Sequence, residues 1–244
     1  VLSEFQKIHA AAKRPVDIWT NYGYYFFSLR FVYLIRKTSI TPNQVTIFSF
    51  ILLLVAAWFF SLGTREAILI GLLIHQVSFV LDCADGQLAR YKRQFSPYGA
   101  WLDQIADRIK EYVIALSLAF GYARFHTGNS VWEVALTCLF LLYLLEYYEQ
   151  QRGKIGGGSG KAGATDAMQT EDAPKQGNRL ATLARWRRAI PFRGFTIGEQ
   201  YFLTGVLLLL TNPYVTLLVV TYVALVMAIY HPVVTFLKQG RAVR

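Results

Sequence analysis

DCADGQLARYKRQFSPYGAWLDQIAD, residues 82–107, sets four aspartates, Asp82, Asp85, Asp103 and Asp107, into otherwise apolar surroundings. Gly86, Gly99 and the pair Ala89-Arg90 lie between them. If the flanking apolar runs are membrane helices, each carboxylate sits where an unpaired charge costs roughly 2.5 to 3.5 kcal/mol at a helix centre. A compensating positive charge is therefore required.

Spacing indicates how that charge would be held. Residues three or four apart on an α-helix share a face one turn apart, so Asp82 pairs with Asp85 and Asp103 with Asp107. The polar break KRQFSP, residues 92–97, separates the pairs, and its Pro97 can begin a helix but would disrupt one already running. The unit reads as helix, tight turn and antiparallel helix, with the two acid pairs able to face each other. Convergent carboxylates suit hard cations with oxygen ligands, Mg²⁺ or Mn²⁺. A pair of such ions is a clamp for transfer at phosphorus.

The pattern D-x2-D-G-x2-A-R-x8-G-x3-D-x3-D is filled at every position by Asp82, Asp85, Gly86, Ala89, Arg90, Gly99, Asp103 and Asp107. It resembles the signature of the class I CDP-alcohol phosphotransferases, also called CDP-alcohol phosphatidyltransferases. The resemblance implies transfer of a substituted phosphate from a CDP-alcohol donor, CDP-diacylglycerol or a CDP-linked polar alcohol, to an acceptor hydroxyl, with release of CMP. It implies metal binding by Asp82, Asp85, Asp103 and Asp107, with Asp107 also as general base, and Mg²⁺ or Mn²⁺ as cofactor, two ions in all. CDP contacts are implied at Asp82, Asp85, Gly86, Ala89, Arg90 and Gly99, and at Asn43 and Thr46 of a Pro-Asn-x-x-Thr element. A homodimer and a role in phospholipid or inositol-phosphodiester synthesis also follow from the resemblance. The competing reading of the motif is a buried ion-pair network with no chemistry.

Composition supports a membrane location. In 244 residues, 54% are hydrophobic and 16% charged, and the mean hydropathy is +0.33. The fold expected is an all-α integral membrane protein of six transmembrane helices, preceded by an N-terminal interfacial amphipathic helix within residues 1–41. In that region Lys7, Lys13, Arg14, Arg30, Arg36 and Lys37 interleave with aromatics such as Trp19, Tyr22 and Phe26, as suits a helix lying at the membrane surface. A stacking platform for nucleic acid would use the same residue types, but the charge distribution favours lipid headgroups, so no nucleic-acid partner is expected. Cys83 and Cys138 lie in apolar segments and read as packing residues. No cleavable signal is read at the N-terminus, because the first long apolar run begins near Val45.

The six expected spans are about 43–62, 67–91, 98–125, 131–150, 196–211 and 214–237, giving a catalytic domain over 42–238 and a tail over 239–244. A Gly- and Ser-rich loop at about 153–194 is expected to be flexible and cytoplasmic. Its GGGSGK is no phosphate-binding loop, lacking a Gly at 155, a Ser or Thr after Lys161 and a strand before it. Between the spans, 21 Lys or Arg fall on the side of the termini and the long loop, against Arg65 and Arg124 on the other. That bias puts the termini and the acid cluster in the cytoplasm.

A phosphorylated acceptor would need a basic pocket, for which Arg108, Lys110, Arg152 and Lys154 are the nearest candidates, with Glu111 as an extra acid beside them. SPYGAWLDQIADR, residues 96–108, resembles the inositol-type members of the family. Two other classes stay in view: an ion transporter using intramembrane aspartates, and a non-catalytic metal- or nucleotide-binding membrane protein. Release of CMP separates the enzyme from both.

Overall fold

The computed structural model describes residues 3–12, 17–128, 130–155 and 195–242, with the side chains of 152–155 and 237–242 outside that description. Among the described residues the chain is helical, without strands. The elements are α1 (Glu4–Ala11), a π-type turn at Thr20–Tyr24 leading into α2 (Tyr25–Ile35), α3 (Pro42–Leu62), α4 (Arg65–Lys92), α5 (Pro97–Ala123), α6 (Ser130–Ile155), α7 (Ile197–Leu210) and α8 (Pro213–Ala242).

Local chemistry sets these boundaries. Thr41 and Gln44 form a reciprocal capping box at the start of α3, and Pro42 takes the first helical position, where a missing N–H costs nothing. Gly63 ends α3 in the left-handed region at φ 74°. Ser96 caps α5, and Pro97 begins it as the polar break foretold. Between α4 and α5 the chain turns at Arg93, itself at φ 57°.

Four helices are long and apolar enough to cross a membrane: Pro42–Leu62, Arg65–Lys92, and α6 and α8 over Ser130–Gln151 and Pro213–Phe236. The helix α5 has the length, but Asp103, Asp107, Arg108, Lys110 and Glu111 lie within it. The helix α7 has 14 residues, about 21 Å of rise against roughly 30 Å of hydrocarbon. Ile47, Phe48, Ile51, Leu54 and Trp58 of α3 point outward, where a bilayer would cover apolar surface that water would not.

Inside, α3 packs on α4 and α5, and α6 on α8. At the end remote from the acids, Ala56, Phe60, Leu72, Leu118, Val131, Ala135 and Leu208 form one core. There α3 and α5 meet with almost no side chain between them: a Cβ on Gly121 would lie 2.1 Å from the Phe60 carbonyl oxygen. At the acid end a second core joins Ile8 of α1, Leu29 and Val32 of α2, Val45 of α3 and Leu81, Ala84 and Leu88 of α4. The N-terminal helices are thus fastened to the hairpin, with Tyr91 donating to Glu4 at 2.5 Å and the Lys92 ammonium donating to the carbonyls of Thr38 and Ile40, both at 2.8 Å. Asp17 reaches the start of α7, accepting from the Thr196 hydroxyl at 3.3 Å. At the far end of α7, Arg65 donates to the open carbonyls of Leu208 (2.7 Å), Leu209 and Thr211 (2.9 Å).

Overpacking a tight contact costs about 1–3 kcal/mol, so Gly121→Ala should lower the thermal midpoint in detergent by a corresponding amount. Gly23→Ala, with nothing within 4 Å of the added carbon, should leave it unchanged.

Candidate active site

The hairpin of α4 and α5 does bring the two acid pairs together. One carboxylate oxygen from each of Asp82, Asp85 and Asp103 lies within 4.8 Å of the others. Asp85 is buried and the other two are half-buried. Three carboxylates this close repel one another strongly, and their all-oxygen donor set fits a hard divalent cation. Asp107 stands beside this trio rather than within it.

A third helix supports the acids from behind. The buried Thr46 hydroxyl of α3 donates to Asp85 Oδ2 at 2.5 Å. One turn on, the Ser49 hydroxyl is shared between the Thr46 carbonyl at 3.0 Å and Asp82 Oδ1 at 3.4 Å. Ser78 of α4 donates to the Ser49 carbonyl at 2.8 Å, tying the two helices together at this level. Ser49 is a contributor that the sequence reading missed. Its signal was present, since Thr46 and Ser49 are polar, three apart and on one face of an otherwise apolar helix.

The basic residues of the motif are engaged too. Lys110, 2% exposed, donates from Nζ to Asp82 Oδ1 and, at 3.2 Å, to Asp107 Oδ1. Arg108 pairs with Glu111 at 2.8 Å and reaches Glu146 at 3.8 Å. Arg90 donates from Nε to the Ala11 carbonyl at 2.8 Å, so a signature residue anchors the end of α1. The side chains of Arg152 and Lys154 lie outside the described residues, although their backbone continues α6.

The small residues divide into two kinds. A Cβ on Gly99 would come within 2.8 Å of Asn43 Oδ1 and 2.9 Å of Ser96 Oγ, so glycine lets the start of α5 close on the start of α3. A Cβ on Gly86 would meet only the Arg90 guanidinium, at 3.4 Å and beyond. Gly86 and half-buried Ala89 therefore leave room beside α4 rather than a tight helix contact.

A cavity adjoins Asp107 and Lys110, with about 60 Å³ of space for the centres of water molecules. Its polar lining includes His75, Asp107, Lys110, Glu111, Gln200 and Tyr201, and Leu118, Leu142 and Leu217 are among the apolar residues. His75 is 2% exposed and stacks on Tyr201 with centroids 4.3 Å apart.

A family model described as CDP-alcohol phosphatidyltransferase matches residues 39–167, more than half of the chain and all of the acid-bearing hairpin. The archaetidylinositol phosphate synthase of Pyrococcus horikoshii is 32% identical over 125 residues, 51% of this chain and 62% of that protein. The bifunctional IPC transferase and DIPP synthase of Aquifex aeolicus is 33% identical over 87 residues, 36% of this chain and 19% of that protein. The match thus spans about three fifths of the first relative's length and a fifth of the second's. Among solved structures, the Mycobacterium tuberculosis phosphatidylinositol phosphate synthase PgsA1 with CDP-DAG bound superposes with a TM-score of 0.57 at 16% identity, over 84% of this chain and 90% of that one. The same protein in complex with manganese and citrate gives 0.53 at 19% identity, over 84% and 86%. At that identity the likeness is one of fold.

A hydrogen bond to a charged group contributes about 1.5–3 kcal/mol. Thr46→Val should lower the thermal midpoint of the chelator-treated protein accordingly, and Ser49→Ala, which removes a longer bond, should lower it less.

Proposed function

Because the chain belongs to the CDP-alcohol phosphatidyltransferase family, we propose that it transfers a substituted phosphate from a CDP-alcohol to an acceptor hydroxyl. The observation that carries this reading is the convergence of Asp82, Asp85 and Asp103, with Asp107 between them and a cavity. These three carboxylates would hold Mg²⁺ or Mn²⁺. Bound there, the ion would supply positive charge to offset that of the pyrophosphate and of the departing CMP.

The chain's own residues supply the rest. Asp107 faces the cavity and accepts the proton of the attacking hydroxyl. The acceptor oxygen bonds to the phosphorus that carries the donor alcohol, the bond from that phosphorus to the bridging oxygen breaks, and CMP leaves with the electron pair. Thr46 and Ser49 hold Asp85 and Asp82 in place through the step. The open side of α4 at Gly86 and Ala89, beside Arg90, offers space for the CDP group, and Asn43 and Gly99, where the starts of α3 and α5 close on each other, are further candidate contacts. Arg108, already between Glu111 and Glu146, would have to exchange partners to meet a phosphorylated acceptor, and Arg152 and Lys154 remain candidates for that task.

An inositol-type acceptor is the substrate class we favour, supported by the names of the relatives and by residues 96–108. All six helices α3 to α8, residues 42–238, would form one membrane domain, α5 entering with Asp107, Arg108, Lys110 and Glu111 paired. The N-terminal helices would lie at the surface, and the basic excess around the acid end supports a cytoplasmic site and cytoplasmic termini.

Purified protein should release CMP from a CDP-alcohol when an inositol-type acceptor and Mg²⁺ or Mn²⁺ are present, and chelation should abolish the activity reversibly. A metal-indifferent rate would contradict this assignment. Asp107→Asn should cut the rate by roughly 10²-fold or more while leaving CDP-alcohol binding within a few-fold, measured by equilibrium titration. Near-normal turnover would remove Asp107 as the base.

A further inference from the structure

Lys110 is the residue whose place the reaction scheme leaves unexplained. A lysine side chain almost never lies fully buried unless it is paired, and this one is 2% exposed. It projects from α5 one turn beyond Asp107, on the same face, and crosses to α4 to reach Asp82. Its ammonium therefore bridges the two helices of the hairpin along the edge joining Asp82 to Asp107. The cation-sized grouping of oxygens lies along the other edges, among Asp82, Asp85 and Asp103, and excludes Asp107. Four carboxylates are thus shared between a lysine on one side and an oxygen cage on the other. Behind the ammonium, the stacked rings of His75 and Tyr201 help to line the cavity that Asp107 also faces.

We propose that Lys110 is a built-in cation of the site: it holds the Asp82–Asp107 edge against a divalent ion and fixes Asp107 with one oxygen occupied and the other available to the acceptor hydroxyl. Lys110 is a positioning residue, acting through Asp107. The inference rests on the transferase reading for what Asp107 does, but the charge arrangement can be tested without any substrate. A fixed positive charge a few ångströms from a divalent site weakens that site by Coulomb repulsion and occupies oxygens that a second ion would use. Removing it must therefore act in opposite directions on metal binding and on turnover.

The test is a Mn²⁺ titration of the purified full chain, followed by electron paramagnetic resonance, for wild type, Lys110→Met and Lys110→Arg, with steady-state CMP release measured in parallel. In Lys110→Met, Mn²⁺ should bind about tenfold more tightly or with an added equivalent. At the same time kcat should fall by roughly 10²-fold, with KM for the CDP-alcohol changed by less than a few-fold. Lys110→Arg, which keeps the charge, should retain the wild-type Mn²⁺ stoichiometry and recover part of kcat. A merely structural lysine would weaken both properties together, so Mn²⁺ affinity that is unchanged or reduced in Lys110→Met overturns the proposal, as does undiminished kcat. If Lys110→Met does not fold, loss of the wild-type Mn²⁺ stoichiometry in Lys110→Arg overturns it instead. A wild type that releases no CMP from any CDP-alcohol would sink the transferase reading, whereas the Mn²⁺ comparison would still decide the role of Lys110.

Discussion

Like charges in an apolar hairpin cannot remain uncompensated, and most of the architecture follows from that constraint. Asp82 and Asp85 on α4 and Asp103 and Asp107 on α5 are brought together by a four-residue connection from Arg93 to Ser96. Proximity alone would drive the helices apart. What keeps them together is positive charge and hydrogen bonding supplied within the bundle: Lys110 between the helices, and Thr46 and Ser49 from α3 behind them. The long apolar cores at both ends of α3 then act as a frame that resists the remaining repulsion. A site built this way is ready to receive a divalent cation because part of its electrostatic need is still unmet.

Much of this was legible in the residues themselves, where the signal is local. The i,i+3 and i,i+4 spacing of the aspartates, Pro42 and Pro97 at helix starts and the Gly63 turn all act within a few residues of where they stand. Contacts between helices were harder to read. Nothing within α3 says that Thr46 will meet Asp85, 39 residues away, and Lys110 looks from its surroundings like one more surface base. Its direction is fixed only when α4 lies alongside. The same holds for the two signature glycines, identical in the sequence yet different in use, one admitting Asn43 and the other leaving a space. Of the loop expected at about 153–194, residues 153–155 continue α6 and residues 156–194 lie outside the described residues.

Charge content also explains why the count of membrane helices differs from the expectation. The helix α5 carries five acidic or basic side chains, which lower its hydropathy, yet four of them, Asp107, Arg108, Lys110 and Glu111, have partners one turn away or on a neighbouring helix. The solved structures share the fold at 16–19% identity, in keeping with the tolerance of apolar packing to substitution when pattern and volume are kept.

The shortness of α7 has a consequence beyond the bundle. With its last carbonyls satisfied by Arg65, this helix can stop about 9 Å short of the usual hydrocarbon thickness without exposing unpaired backbone groups. The four longer helices each rise about 30 Å or more, so the shortfall is confined to one corner and any cost of mismatch is local, fractions of a kcal/mol per ångström, while the rest of the bundle suits a bilayer of ordinary thickness.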